Sequence, residues 1–386
     1  MQTDPIKRVL FVAPRHPENS GGSTVISNLT SAFEARGIDA RCISIHPGSR
    51  PDPQTVTIIR HADLHAGPVL RTGSGTISSL TQIPRWIWKR VDKRIVDYRL
   101  RRIISSCDAD TAIIFTHVLG KMMLDKTGYK RRPLGPLMFG QHHSQFESLS
   151  DEPWLTTAIP EHFRGVDAFI ALTEVDAQKF STLVDAPCYA ISNPGPAEPF
   201  PLSKYQPIAI SLARLSHEKR VPLVVDLFAK ASDTDGLRHW RLDIYGDGPE
   251  SETVRSHIEN SGISDRIRLL PPTTITTPLA TASINVTAST LEGFGMTLLE
   301  SALAGVPSIA FECSPGVAEQ LDNGRGIMVP RDDHHTFVRE LRRLMHSENT
   351  VRAMGARART GATAHTPAEI TRRWIDLFNE TAASRI

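Results

Sequence analysis

Glu292 and Glu300 lie eight positions apart, with Gly293, Phe294 and Gly295 directly after the first of them. Glycines on both sides of an aromatic let the backbone come close to a ligand and present its N–H groups without a Cβ in the way. The apolar pattern that starts at Met296 or Thr297 and stops at Gly305 predicts a helix, and the amino end of a helix is a ready anion site. Carboxylates that bracket such a site are good acceptors for hydroxyls. The set suits a molecule with phosphate in its middle and hydroxylated rings at both ends, as in a nucleotide-sugar. Bare spacing argues less, because two glutamates this far apart are common and a Gly-rich turn before an amphipathic helix is ordinary α/β punctuation.

Other residues fit the same chemistry. Arg214 and Lys219, five apart in a loop after a predicted strand at 208–212, can converge on a diphosphate, the arginine by its planar fork and the lysine as a point charge. Gly246 follows a predicted strand at 242–245. Gly21 and Gly22 follow another at 9–13 and read as a turn before a helix carrying Val25, Ile26, Leu29, Ala32 and Phe33; a plain tight turn explains these glycines equally well. His142 and His143 stand after a predicted strand at 137–139, and His117 after one at 112–115, which puts imidazoles on one carboxyl edge. A lone histidine there is commonly a satisfied polar residue, whereas an adjacent pair is less ordinary.

These residues need a frame that gathers strand ends. Predicted strands at 9–13, 41–45, 112–115, 137–139, 166–172 and 188–192 alternate with helices, with a further strand around 55–59. The Pro-rich stretch 194–207, opened by Asn193, Pro194 and Gly195, reads as a linker. A second series has strands at 208–212, 242–245, 267–270, 284–287 and 306–311, helices near 335–345 and 367–379, and a helix opening at Pro249. Such alternation is α/β, with parallel sheets whose ligands sit at the strands' carboxyl edge.

The string Glu292-Gly293-Phe294-Gly295, then Glu300, then Ala304-Gly305-Val306-Pro307 leading into a strand, resembles the donor-site signature of the family 4 retaining glycosyltransferases (glycosyl transferases group 1). Arg214-Leu215 with Lys219 resembles that family's Gly-Arg-Leu-x-x-x-Lys-Gly, except that Ala213 and Arg220 replace the glycines and put the tightness of the turn in question. The resemblance covers the second half strongly and the first weakly. It implies the GT-B fold: two Rossmann-like doubly wound domains, 1–196 on the acceptor side and 197–368 binding the nucleotide-sugar, facing across a cleft, with a C-terminal helix (369–386) crossing back to the first. It implies a donor held by Arg214, Lys219, Gly246, Gly293, Phe294, Gly295, Met296, Thr297 and Glu300, with Glu300 on the ribose and Glu292 on the transferred sugar. Gly21 and Gly22 would face the phosphates and acceptor. A catalytic histidine would be His143, favoured by the Ser-Gln-Phe-Glu that follows it, or His142. Pro271 and Pro272 occupy the loop that normally meets the base, so the base stays open, with a UDP-sugar favoured over a GDP-sugar. No cofactor and no metal are expected, and the sugar would pass, with retention, to a cell-envelope glycan, teichoic-acid-like polymer or lipid-linked acceptor.

Composition sets outer bounds. The 386 residues suffice for two domains, and a net charge of +2 gives no global field for nucleic acid, which is not expected as a partner. The 4 cysteines lie far apart without a Cys-x-x-Cys pair, which suits a reducing compartment. The polar first residues and the short apolar run at 9–13 lead us to expect a cytoplasmic protein, peripheral on the inner face of the membrane at most. Residues 85–102 are basic and aromatic; Ile87, Val91, Ile95 and Tyr98 form a stripe expected to face inward, leaving the basic residues as a solvated face or a dock for anionic membrane or polymer. Asp108-Ala109-Asp110 spells a metal-binding motif of another glycosyltransferase class, but its place before a strand favours a turn. An epimerase-like nucleotide-sugar enzyme of the same fold and a non-catalytic sugar-nucleotide-binding protein are the alternatives.

Overall fold

The computed structural model describes residues 6–18, 21–49, 55–57, 85–197 and 200–385, with the backbone alone for 47, 56–57 and 85–93. Seven strands build the first sheet: β1 (Arg8–His16), β2 (Asp39–Pro47), β3 (Thr55–Thr57), β4 (Thr111–Phe115), β5 (Leu137–Gln141), β6 (Ala168–Ala171) and β7 (Cys188–Ala190). Their order is β3-β2-β1-β4-β5-β6-β7, parallel throughout. Six build the second: β8 (Ile208–Leu212), β9 (Arg241–Tyr245), β10 (Ile267–Leu270), β11 (Ile284–Thr287), β12 (Ser308–Phe311) and β13 (Ile327–Val329), ordered β10-β9-β8-β11-β12-β13 and also parallel. Every residue of β4, β5, β6, β8 and β12 is buried, as expected of parallel strands covered by helices on both faces.

In both sheets the strand order reverses once, beside β1 and β4 and beside β8 and β11. Ligands of such sheets bind in the crevice outside that switch point. The loops after β8 and β11 carry Arg214 with Lys219 and Glu292 with Gly295 respectively, so topology alone brings the two motifs together.

The last helix, Pro367–Ser384, lies on the first sheet although the chain reaches it from the second. Trp374 meets Phe139 edge-on at 5.9 Å, and Phe378 stacks on Phe33 at 6.1 Å. Ile370, Trp374, Leu377 and Phe378 are buried there, and each such side chain contributes roughly 1.5–3 kcal/mol by leaving water. Arg385 then pairs with Asp167 through Nε at 2.9 Å and donates Nη1 to the Gly135 carbonyl at 2.9 Å.

Several elements differ from expectation. Gly21 and Gly22 form the first turn of the helix Gly21–Glu34 rather than a turn ahead of it. The helix after β9 spans Ser251–Glu259, so Pro249 lies outside it. Helix Glu348–Ala362 was not foreseen, since Ala, Gly and Arg dilute its apolar stripe. In helix Arg85–Ser105 the buried face is Val96, Leu100 and Ile104, while Ile95 (42% exposed) and Tyr98 (65%) stand outside among exposed Arg94, Arg99, Arg101 and Arg102. Ile95 and Tyr98 therefore face outward, against the expected inward stripe, while the side chains of its other members, Ile87 and Val91, lie outside the described residues. Side chains of 85–93, which carry the rest of that basic stretch, lie outside the described residues, as does most of the stretch after Thr57. Among the described residues no helix is long and apolar enough to cross a membrane.

Candidate functional site

The loop after β8 and the loop after β11 meet through one ion pair. Lys219 Nζ lies 2.7 Å from Oε1 of Glu292, and Ser289 Oγ donates to the same oxygen at 2.8 Å. Both donors converge on Oε1, so Oε2 stays available as an acceptor. Lys219 ends a short 3-10 turn, His217–Lys219, and Arg220 after it adopts left-handed backbone, φ 48° and ψ 42°. The turn is thus as tight as a glycine would make it, and Arg220 is held there by Asp332 at 2.7 Å and by the Phe311 ring at 5.9 Å. Arg214 is exposed, and its charge acts on Glu218.

Gly246 and Gly248 line the neighbouring loop. A Cβ on Gly246 would sit 1.9 Å from the Ala213 carbonyl oxygen, and one on Gly248 2.4 Å from that of Leu215. Glycine there lets the backbones of the two loops press together, with Leu215 N donating to Asp247 O at 3.0 Å. Gly246 supports the Arg214 loop in this way.

The Glu292–Gly295 turn is built the same way. Gly295 takes φ 78° directly before helix Met296–Leu303, which a side chain would resist. Its carbonyl and that of Phe294 accept from Gln320 Nε2, and Gly316 packs so tightly over Gly293 that a Cβ would lie 2.5 Å from the Gly293 carbonyl. Among the described residues the N–H groups of Met296 and Thr297 have no hydrogen-bond acceptor, as expected at the first turn of a helix. Phe294 departs from expectation: its ring is buried with Leu172, Leu299 and Ala362, 5.0 Å from the His365 ring, and is a core plug rather than a ligand contact.

Glu300 lies one turn into that helix, buried, and no ion pair or hydrogen bond reaches its carboxyl among the described residues. Burial pushes it up to about 8. Its oxygens keep a small contact with solvent, so a polar partner entering from that side can meet a carboxyl that burial otherwise disfavours in its charged form.

The first domain supplies the opposite wall. His143 stands after β5 with its carbonyl against Gly293, where a Cβ would approach within 2.5 Å. Its Nδ1 lies 3.2 Å from Asn193 Oδ1, and burial, with the charge of His117 in support, lowers the ring to about 4 although the Asn193 hydrogen bond opposes this. His142 points elsewhere: its ring meets Phe180 at 5.4 Å in the first domain's core and reaches Ser148 Oγ at 3.5 Å. Of the adjacent pair, the fold brings His143 to the glutamate loop and leaves His142 behind. Gly21 also faces the second domain, with Met296 Cγ 3.8 Å from its notional Cβ, whereas a Cβ on Gly22 would meet nothing within 4 Å.

His117 caps helix Val118–Lys126 by accepting from Leu119 N at 3.1 Å, which accounts for it locally. Asp108 pairs with Arg132 at 3.3 Å and Asp110 accepts from Lys7 N through its carbonyl at 2.8 Å, so the Asp-x-Asp sequence is a turn ahead of β4. An interdomain cavity of about 530 Å³, lined by Thr173, Glu174, Pro315, Glu319 and Met328 among others, contains none of the residues above. Sequence reasoning missed Ser289 and Asn193 as partners of the site; neither carries a spacing signal, and only the fold brings Asn193 to His143.

Comparison with known proteins adds to this geometry. Residues 197–361 match the family model described as glycosyl transferases group 1. An exopolysaccharide phosphotransferase of Streptomyces coelicolor is 31% identical over 77% of this chain and 31% of its own length. The chain spans less than half the length of the curated relatives it matches first, 31% and 44%. Among solved structures, TarM superposes with a TM-score of 0.76 at 15% identity over 97% of this chain and 99% of its own. The pneumococcal O-GlcNAc transferase GtfA, crystallised with UDP and GlcNAc, gives 0.72 at 15% identity over 97% and 99%. The two facing parallel-sheet domains are the GT-B fold.

Proposed function

We propose, from a chain whose residues 197–361 carry a glycosyl transferases group 1 domain on a GT-B fold, that it is a retaining, metal-independent glycosyltransferase. It moves a sugar from a UDP-linked donor to a hydroxyl of a cell-envelope glycan, teichoic-acid-like polymer or lipid-linked acceptor. The observation that carries this reading is the Lys219–Glu292 pair at 2.7 Å, set between the loops of the two strands at the switch point and beside a helix N-terminus with unused N–H groups.

Departure of a diphosphate from a sugar cation needs positive charge and N–H dipoles aimed at the leaving oxygens. Lys219, Arg214 and the N–H groups of Met296 and Thr297 supply them. Glu300 takes the ribose hydroxyls, which supplies the partner its buried carboxyl lacks, and Glu292 uses Oε2 for a hydroxyl of the transferred sugar. His143 lines the sugar side. With no second carboxylate assigned as nucleophile, attack from the leaving-group face, with the departing phosphate taking the acceptor proton, suits this set better than double displacement. No resident cofactor is needed, because the nucleotide-sugar is a co-substrate. The UDP and GlcNAc in the GtfA crystal support the choice of UDP. Working in the cytoplasm, the enzyme would meet an anionic membrane or polymer through Arg94, Ile95, Tyr98, Arg99 and Arg102, which stand exposed together.

The testing experiment is a titration of UDP and of several UDP-sugars by thermal shift, followed by product analysis with and without acceptor. Stabilisation by UDP is expected, because a ligand bound only by the folded form raises the melting point. Conversion of the nucleotide-sugar without acceptor would replace transfer by an epimerase-like reaction. Binding without turnover, unchanged by Glu300→Ala, would leave a non-catalytic binding protein.

A further inference from the structure

The two crossings of the chain between the domains meet behind the glutamate loop, and a ring of contacts closes there. Ser192 Oγ lies 2.7 Å from His365 Nδ1, Gly195 N donates to the His365 carbonyl at 2.8 Å, and Asn28 Nδ2 to the Gly195 carbonyl at 3.0 Å. The His365 ring meets Phe294, and Gly293, next to it, touches the His143 carbonyl. Asn193 closes the ring through its Oδ1, 3.2 Å from His143 Nδ1.

An amide oxygen only accepts, so the imidazole proton sits on Nδ1 and the lone pair on Nε2. That Nε2 is buried and has no hydrogen-bond partner among the described residues. Leaving such an acceptor unmade costs about 1–3 kcal/mol, a cost that a ligand hydroxyl would remove. Asn193 is itself buried, and it follows β7 rather than the strand that carries His143.

We infer that Asn193 is a positioning residue: it fixes His143 as the Nδ1–H tautomer, so that Nε2 accepts a hydrogen bond from a hydroxyl of the sugar being transferred. His143 follows β5 and Asn193 follows β7 of the same sheet, so the pair is set within the first domain and presents its ring to the Gly293 loop. The substrate half of this inference rests on the glycosyl-transfer reading; the tautomer half does not.

The test uses the full chain labelled with 15N-histidine, together with UDP binding and UDP release from UDP-GlcNAc. In the wild type His143 should show a protonated Nδ1 and bare Nε2. Asn193→Ala should mix the tautomers, and Asn193→Asp, which keeps an acceptor in place, should restore the wild-type pattern. UDP affinity should stay within about two-fold in both variants, since Asn193 makes no hydrogen bond to Arg214, Lys219 or Glu300 among the described residues, while kcat falls by about 30-fold or more in Asn193→Ala with KM little changed and recovers in Asn193→Asp. If Asn193→Ala does not fold, Asn193→Ser, whose hydroxyl is too short to reach the ring, replaces it. A wild-type tautomer and kcat in the Ala or Ser variant, or an Asp variant no better than Ala, overturns the inference. A wild type that binds no UDP overturns the glycosyl-transfer reading and the substrate half with it, while the spectra still decide the tautomer half.

Discussion

Lys219 Nζ and Glu292 Oε1 lie 2.7 Å apart, joining the loops that follow the two strands flanking the switch point of the second sheet. On the proposed reading a diphosphate arriving at Lys219 would share it with Glu292, so that one pair would read leaving group and transferred sugar. Lys219→Ala should weaken UDP binding by about 10- to 100-fold, the worth of a charge-assisted hydrogen bond of roughly 1.5–3 kcal/mol. Glu292→Gln should leave UDP affinity nearly unchanged and lower kcat on the UDP-sugar. Calorimetry with UDP and steady-state kinetics separate the two; equal effects on UDP affinity would contradict the division of roles.

Glu300 gives a pH dependence. Burial raises its carboxyl from an ordinary 4.5 to about 8, so between those values the folded protein holds a proton that the unfolded chain has lost. Stability from this group is therefore full below about 4.5 and declines as pH rises to about 8, by an amount of order a few kcal/mol. Glu300→Gln should lack that decline in denaturation measured between pH 5 and 8.5. A carboxylate accepting two ribose hydroxyls favours the charged form, so UDP affinity should rise with pH up to about 8 in the wild type and stay flat in the variant.

A side chain at Gly22 would enter open space, whereas one at Gly293 would enter space taken by protein. Gly22→Ala should raise the melting point, because alanine is better than glycine in a helix by roughly 0.5–1 kcal/mol and its Cβ meets nothing within 4 Å. If donor phosphate or acceptor passes over that turn, the same variant loses turnover. Gly293→Ala drives a Cβ to 2.5 Å from the His143 carbonyl and should lose turnover by forcing the domains apart, which small-angle scattering would register. Full activity in both variants would remove this face from the site.

Arg220 offers a stability test. Its left-handed backbone costs about 1–2 kcal/mol, offset by Asp332 and the Phe311 ring. Arg220→Gly relieves the strain and loses both contacts, so a change within about 1 kcal/mol is expected, whereas Arg220→Ala, which keeps the strain, should destabilise by more. Denaturant midpoints decide this; an Ala variant as stable as Gly would show that the turn relaxes.

The exposed face of helix Arg85–Ser105 should hold the protein on vesicles containing anionic lipid and release it in high salt. Replacing Arg94, Arg99 and Arg102 with alanine should abolish co-sedimentation, and replacing Tyr98 with serine should weaken it. Unchanged sedimentation of the triple variant would sink the membrane contact.

Much of the frame was legible because parallel strands read as short apolar runs, and the first five strands of the second sheet were read to within about two residues, with a short strand also expected where β13 lies. The Gly-Phe-Gly turn, its helix and the cap at Gly305 followed from backbone conformations that only glycine adopts freely. The orientation of helix Arg85–Ser105 was not legible, because apolar residues occur on two of its faces and only packing decides which is covered. His142 and His143 were equally plausible in sequence; a residue's direction after a strand end depends on the next turn, and here Phe180 draws one ring inward while Asn193 holds the other. That Phe294 is a plug follows from a long-range contact with His365, which no local pattern encodes.

The most direct measurement is a crystal structure of the chain soaked with UDP. The ribose should lie against the Glu300 carboxyl, with the diphosphate between Lys219, Arg214 and the N–H groups of Met296 and Thr297. UDP bound elsewhere, with the Lys219–Glu292 pair undisturbed and Glu300 still without a partner, would contradict the assignment of this loop as the donor site.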